Sequence, residues 1–177
     1  MLRVCVVSDT HRHRTELLTA IHTAQPMDGL LHAGDESTDV EWLDGKVDLP
    51  VFAVAGNWDS ASKQFPLERV IDQFGPRILL IHGHTVRVKD TYDVLLKRAH
   101  DYEARIVVYG HTHAAYLGVL DGILVVNPGS LAQPRGRREK SFVTLDIEQN
   151  PVENSFVIHA SLLSLQGHSL SHLDLEL

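Results

Sequence analysis

Three short apolar runs near the start of the chain end in the same way, and that repetition constrains the fold more than any other feature. Leu2 to Val7, Leu30 to His32 and Pro50 to Ala55 have the β-rich composition of buried strands. Each runs into a polar or glycine-containing turn: Ser8-Asp9-Thr10-His11, Ala33-Gly34-Asp35 and Gly56-Asn57-Trp58-Asp59. Between them, Thr15 to Ala24 has apolar residues at helical spacing (Leu17, Leu18, Ile21), and Asp39 to Leu43 reads as a short helix. Strands alternating with helices predict an α/β fold, in which ligands bind beyond the carboxyl ends of the strands. Three polar turns are therefore delivered to one edge.

The second half is richer in strands. Arg77 to Ile81 and Ile106 to Tyr109 read as strands, with a helix over Thr91 to Tyr102 between them. Ala115 to Leu120 and Ile123 to Val126 flank Asp121-Gly122, a two-residue hairpin signal. Phe142 to Ile147 and Phe156 to Ser161, with Asn150-Pro151 between them, read as a closing meander. No repeat or linker divides the chain, so residues 1–177 are expected to form one domain. The tail after about Leu162 is expected either to be disordered or to pack its leucines on a second copy in a homo-oligomer.

Donor side chains collect at these strand ends. Asp9 and His11 follow the first strand, Asp35 the second and Asn57 the third; His82 follows Ile81, and His111 and His113 follow Tyr109. All seven offer nitrogen or oxygen to Mn²⁺, Fe²⁺, Co²⁺, Ni²⁺ or Zn²⁺. Residues i and i+2 of an extended segment face the same way, so Asp9/His11 and His111/His113 can each present a pair. Gly34, Gly56, Gly83 and Gly110 allow sharp turns beside them. Singly, each motif is more often a turn or a hydrogen-bonded pair; their order and common position make a metal site the better reading.

Together, Asp9-Thr10-His11, Gly34-Asp35, Gly56-Asn57-Trp58-Asp59, His82-Gly83-His84 and Gly110-His111-Thr112-His113 resemble the signature of calcineurin-like metallophosphoesterases. The compact length, His82-Gly83-His84 and Asn127-Pro128-Gly129-Ser130 resemble the small prokaryotic phosphodiesterase branch. The resemblance implies a four-layer αββα sandwich of two mixed sheets with flanking helices and two divalent metals at one end, Mn²⁺ first among them. It further implies Asp9, His11 and His113 on one metal, Asn57, His82 and His111 on the other, and Asp35 bridging. Many relatives carry histidine, and the small phosphodiesterases often cysteine, where this chain has Trp58. Indole has no useful acidity and cannot protonate a leaving group. Trp58 is expected to pack, or to wall the substrate site.

The chemistry implied is in-line attack on phosphorus by a metal-bridging hydroxide. Two divalent ions against Asp9, Asp35 and hydroxide leave about one positive charge, which a phosphodiester monoanion cancels. A small phosphodiester is thus the expected substrate, with a phosphomonoester as the alternative. Another alternative is a non-catalytic scaffold like the retromer subunit of this fold, although all seven donor positions here carry competent residues. His84 is expected near substrate or behind the ligands, or equally at the surface. Asp59 would fix a ligand histidine's tautomer or cap its turn. Asn127 to Ser130 is expected to support the cleft, and Arg135, Arg137 and Arg138 to be a solvated basic patch. The pair His168 and His172 is expected to bind nothing.

Composition narrows the partners. A net charge of -7 disfavours capture of long nucleic acid or an anionic membrane, and a nuclease would want a basic groove. No run is long enough to cross a bilayer and none resembles a leader, so the expectation is cytoplasmic. Cys5 is the only cysteine; within its apolar run, a buried thiol is expected.

Overall fold

The computed structural model describes residues 1–177. The elements follow in the order β1 (Leu2–Val7), α1 (Arg14–Ala24), β2 (Gly29–His32), α2 (Ser37–Trp42), β3 (Val51–Ala53), β4 (Glu68–Ile71), β5 (Ile78–Ile81), α3 (Asp93–Asp101), β6 (Ile106–Val108), β7 (Tyr116–Leu120), β8 (Ile123–Asn127), β9 (Ser141–Asn150), β10 (Ser155–Ser164) and β11 (Ser169–Glu176). A 3₁₀ turn at His84–Val86 follows β5.

Two mixed sheets carry the fold. The first has the order β11-β10-β9-β1-β2-β3, with β1, β2 and β3 parallel and the β9–β11 meander antiparallel. The second has the order β4-β5-β6-β8-β7, with β5, β6 and β8 parallel. The side-chain period of two sends alternate residues of each buried strand to opposite faces. Val4 and Val6 of β1 meet Ile78, Leu80, Ile106 and Val108 between the sheets. Cys5 and Val7 instead face Leu17 and Ile21 of α1, and Leu79 and Val107 face Leu95 and Ala99 of α3. A central apolar layer thus lies between the sheets, with a helical layer outside each, which is the αββα sandwich.

The Asp121-Gly122 hairpin forms as expected, with φ of 53° and 73° at its two turn residues. Two elements depart from the sequence reading. β4 was not anticipated: its polar Glu68 and Arg69 mask a short edge strand paired to β5. The segment after Leu162 is ordered. It continues β10 and returns as β11, paired to β10, with Leu173, Leu175 and Leu177 against the inter-sheet core. Leucines alternating with polar residues are the pattern of a half-buried strand, and that alternation explains the outcome.

Because β1, β2, β3, β5 and β6 all run the same way within their sheets, their carboxyl ends can converge. No helix is long and apolar enough to cross a membrane.

Candidate metal centre

The turns after β1, β2, β3, β5 and β6 converge. Asp9, His11 and His113 bring ligand-type atoms within 4.8 Å of one another, and so do Asp9, Asp35 and His82. His113 Nε2 lies 3.1 Å from Asp9 Oδ1 and 3.4 Å from His11 Nε2. Asp35 Oδ2 lies 3.3 Å from His82 Nε2 and 3.9 Å from His11 Nε2, so it faces both groups. Asn57 joins through its Oδ1, 3.1 Å from His82 Nε2. His111 stands beside His82, ring centroids 5.1 Å apart, at the edge of the cluster.

The backbone is bent hard to achieve this. Asp9, His11, Asp35, His111 and His113 all have positive φ, between 40° and 66°, a conformation that L residues rarely adopt and that collects at functional sites. Gly34, with φ of 95°, lets the β2 turn pass His82; a Cβ there would lie 2.7 Å from His82 Nδ1.

Partners outside the cluster set the orientation of its members. His82 Nδ1–H donates to the Ala33 carbonyl at 2.6 Å and His113 Nδ1–H to the Gln133 carbonyl at 2.9 Å. Both imidazoles therefore turn Nε2 inward, the tautomer a metal ligand needs. Asp9 Oδ2 accepts from the Ser8 hydroxyl and the His111 N–H, at 2.5 and 3.1 Å. Its other oxygen, Oδ1, is buried and accepts no hydrogen bond, although His113 Nε2 is near. A cation between or beside Asp9 Oδ1 and His113 Nε2 would give both atoms a partner.

Electrostatics follow from this crowding. Burial, then His82, pushes His111 down to about 4. Burial pulls His82 down too, but Asp35 and Asp9 outweigh it and leave the group raised. Asp9, 3.1 Å away, raises His113 against its burial. Burial works to raise Asp35, yet His82 and the Trp58 N–H outweigh it and leave the carboxyl lowered.

Further residues support the cluster, and those around Asp39 carried no sequence signal strong enough to single them out. Thr10 Oγ donates to buried Asp39 at 2.6 Å and lies 3.1 Å from His32 Nε2. Asp39 also accepts the Arg12 N–H and Arg14 Nε, both at 2.9 Å, so α2 holds the turn bearing Asp9 and His11. Asn127 bonds the Gly110 carbonyl and Thr112 Oγ, and Ser130 Oγ donates to the Asp9 carbonyl at 2.8 Å. Asn127 to Ser130 supports the cleft as expected.

Three other expectations resolve. Asp59 touches no histidine: it accepts the backbone N–H groups of Asp35, Gly56 and Ser37 at 3.0, 2.8 and 2.7 Å, so its role is to cap and join the turns. Trp58 does not pack inward. It is 72% exposed, edge-on to His11 with centroids 5.6 Å apart, because its backbone N–H is held by Asp35 and its side chain has no core to enter. His84 is half-buried beside His82 and His111, ring centroids 5.3 and 6.1 Å away, with Nδ1 buried and unpartnered.

The cluster floors a cleft of about 510 Å³ with Trp58, Lys89 and Arg135 on its walls. A larger groove, about 630 Å³, lies beside α2 and β3, but its lining is mainly apolar and includes none of the seven donors.

Residues 2–150 match the calcineurin-like phosphoesterase superfamily domain. The chain belongs to that superfamily. It is accordingly a hydrolase of phosphoric esters, and family membership implies divalent metal ions. A probable metallophosphoesterase of Mycoplasma pneumoniae is 31% identical over 87% of this chain and 95% of its own length. The phosphodiesterase MJ0936 of Methanocaldococcus jannaschii is 26% identical, over 72% of this chain and 83% of its own. Among solved structures, a predicted phosphoesterase of Streptococcus pneumoniae superposes with a TM-score of 0.78 at 25% identity. That match covers 99% of this chain and 97% of the other.

Proposed function

We propose that this chain is a phosphodiesterase that uses two divalent metal ions, Mn²⁺ foremost, held by Asp9, His11, Asp35, Asn57, His82, His111 and His113. The observation that carries the reading is the buried, unpartnered Asp9 Oδ1 within a ring of inward-turned nitrogens. A divalent cation among these groups would satisfy Asp9 Oδ1 and the inward nitrogens together. Asp9, His11 and His113 would hold one ion and Asn57, His82 and His111 the other, with Asp35 facing both. When bound, such a pair supplies a water-derived nucleophile at neutral pH and neutralises charge on phosphorus.

The chain's own residues do the rest. The Ala33 and Gln133 carbonyls hold His82 and His113 in the ligating tautomer. Asp59 ties the turns after β2 and β3 into one unit, which keeps Asp35 and Asn57 in register. Trp58 offers its exposed indole as a flat wall for the aryl or base group of an ester, and it cannot protonate that group as it leaves. Leaving groups that depart unprotonated are therefore preferred. Only two carboxylates lie among the seven donors, so the loaded site keeps a small positive charge suited to a diester monoanion.

A monoester is the second reading, and one feature favours it. Arg12 is paired with Glu36 at 3.1 Å, but Lys89 and Arg135 line the cleft without an acidic partner and would balance a dianion.

The test is hydrolysis of bis(4-nitrophenyl) phosphate and 4-nitrophenyl phosphate by stripped protein, with and without Mn²⁺, beside Asp35→Ala. Mn²⁺-dependent turnover of the diester, abolished in the variant, is expected. Preference for the monoester would replace the diester reading, and no metal-stimulated turnover of either ester would overturn both.

A further inference from the structure

A second group of metal-ligating side chains lies on the outer face of the first sheet. α1 packs over β1 and β9 there, while His159, His172 and Asp174 on β10 and β11 keep side chains 40%, 48% and 60% exposed. In the β10–β11 register His159 stands directly opposite Asp174, and Ser161 opposite His172. His172 and Asp174 are two apart on one strand and so share a face. His159 Nδ1 and His172 Nε2 both converge on one atom, Asp174 Oδ1, at 2.6 and 2.8 Å. None of the three lines the cleft described above.

The surroundings favour a cation. Asp146 of β9 faces His159 from its other side, Glu148 follows on the same face, and Glu176 lies two residues beyond Asp174. The cation nearest on this face, Arg3, is already paired to Asp146 at 2.6 Å, and Ser155 occupies Glu176. The acidic charge around the histidines is thus only partly balanced. His172 adds a more specific sign. Its Nδ1 lies 2.9 Å from Ser161 Oγ, a hydroxyl that can give or take the shared proton and so can hold His172 in the tautomer that frees Nε2. With Nδ1–H given to the hydroxyl, Nε2 is free to share an ion with the Asp174 carboxylate. A hydrogen bond that fixes the tautomer of the coordinating imidazole is the usual accompaniment of a metal site.

We propose that His159, His172 and Asp174 form a surface site for one Zn²⁺ ion, which clamps the edge strand β11 to β10. Two imidazoles and a carboxylate, with water in the fourth position, are a donor set that zinc accepts. Bonds of about 2.0–2.1 Å place tetrahedral ligands about 3.3 Å apart. The three donors would have to draw back by roughly half an ångström, within reach of half-exposed side chains on a regular antiparallel pair. The hard ions Mg²⁺ and Ca²⁺ prefer all-oxygen sites and would not compete well.

The experiment counts zinc per chain by plasma mass spectrometry after stripping, loading with Zn²⁺ and desalting. Wild type is compared with His159→Ala/His172→Ala and with the near-isosteric Asp174→Asn. The expected result is one ion fewer in the double variant, whatever number the strand-end cluster holds, and at least tenfold weaker retention of that ion in Asp174→Asn. Because the readout is a difference, it stands apart from the dinuclear reading. The rise in melting temperature that Zn²⁺ brings is also expected to be smaller in the His159→Ala/His172→Ala protein than in wild type. Equal zinc content in wild type and the double variant, both folded by circular dichroism, would overturn the proposal.

Discussion

Asp39 carries the sharpest energetic prediction. It is fully buried on α2 and accepts three hydrogen bonds: Thr10 Oγ and the Arg12 N–H on Oδ2, and Arg14 Nε on Oδ1. Asp39→Asn preserves the shape. Its carbonyl can replace Oδ2, but its NH₂ then points a donor at a donor, and the Arg14 contact is lost. Arg14 is 38% exposed, so solvent screening limits that loss to at most about 1 kcal/mol. The two remaining bonds fall from charge-assisted strength, about 1.5–3 kcal/mol each, to the neutral range of about 0.5–1.5 kcal/mol. The expected cost is about 2–3 kcal/mol, or roughly 4–12 °C in melting temperature for a chain of this size. Melts followed by circular dichroism in chelator read the effect without masking by bound metal. Arg14→Met, which removes only the exposed partner, should cost under about 1 kcal/mol. If Asp39→Asn costs no more than Arg14→Met, the buried bonds to Thr10 and Arg12 do not hold the turn. The same turn bears Asp9 and His11, so metal-dependent hydrolysis should fall roughly ten- to a hundredfold in Asp39→Asn.

Three further outcomes are expected. Gly56→Ala places a Cβ against the Asp35 side chain and 2.7 Å from the Asp35 backbone nitrogen; it should cost about 1–3 kcal/mol in urea unfolding and release metal at lower chelator concentration. Burial outweighs the pull of Asp39 and Asp9 and holds His32 below its ordinary 6.5, so the unfolded chain takes up that proton first. His32's contribution to stability is therefore complete above about pH 6.5 and lost as pH falls further. The stability-versus-pH slope between 6.5 and 5 should be shallower in His32→Gln than in wild type. Cys5 is fully buried and its thiol is pushed up to about 12, so a disulfide reagent at pH 8 should label it only after denaturant is added; rapid labelling of native protein would contradict that burial.

Why some of this was legible in sequence and some was not follows from what each feature depends on. The seven donors stood out because each directly follows an apolar run, so strand and ligand are written side by side in the chain. The sandwich was implied by family resemblance; alternation alone gave only α/β. What escaped notice depends on partners far apart in sequence. Asp39 looked like an ordinary helix-start acid, and only the fold brings it to Thr10, 29 positions earlier. For Asp59 a ligand histidine and a turn cap were both open, and only the fold brings three backbone N–H groups from two turns to its carboxylate. Trp58 shows the same limit from the other side. Its size argued for packing, yet its N–H is held by Asp35, and the turn that presents Asn57 projects the indole over His11. A substrate's aryl group laid on this exposed ring would bury apolar surface on both. Trp58→Ala should therefore raise the KM for aryl diesters severalfold while leaving the melting temperature nearly unchanged, as steady-state kinetics and thermal melts would read. A packing tryptophan would give the reverse pattern, with stability falling and KM held.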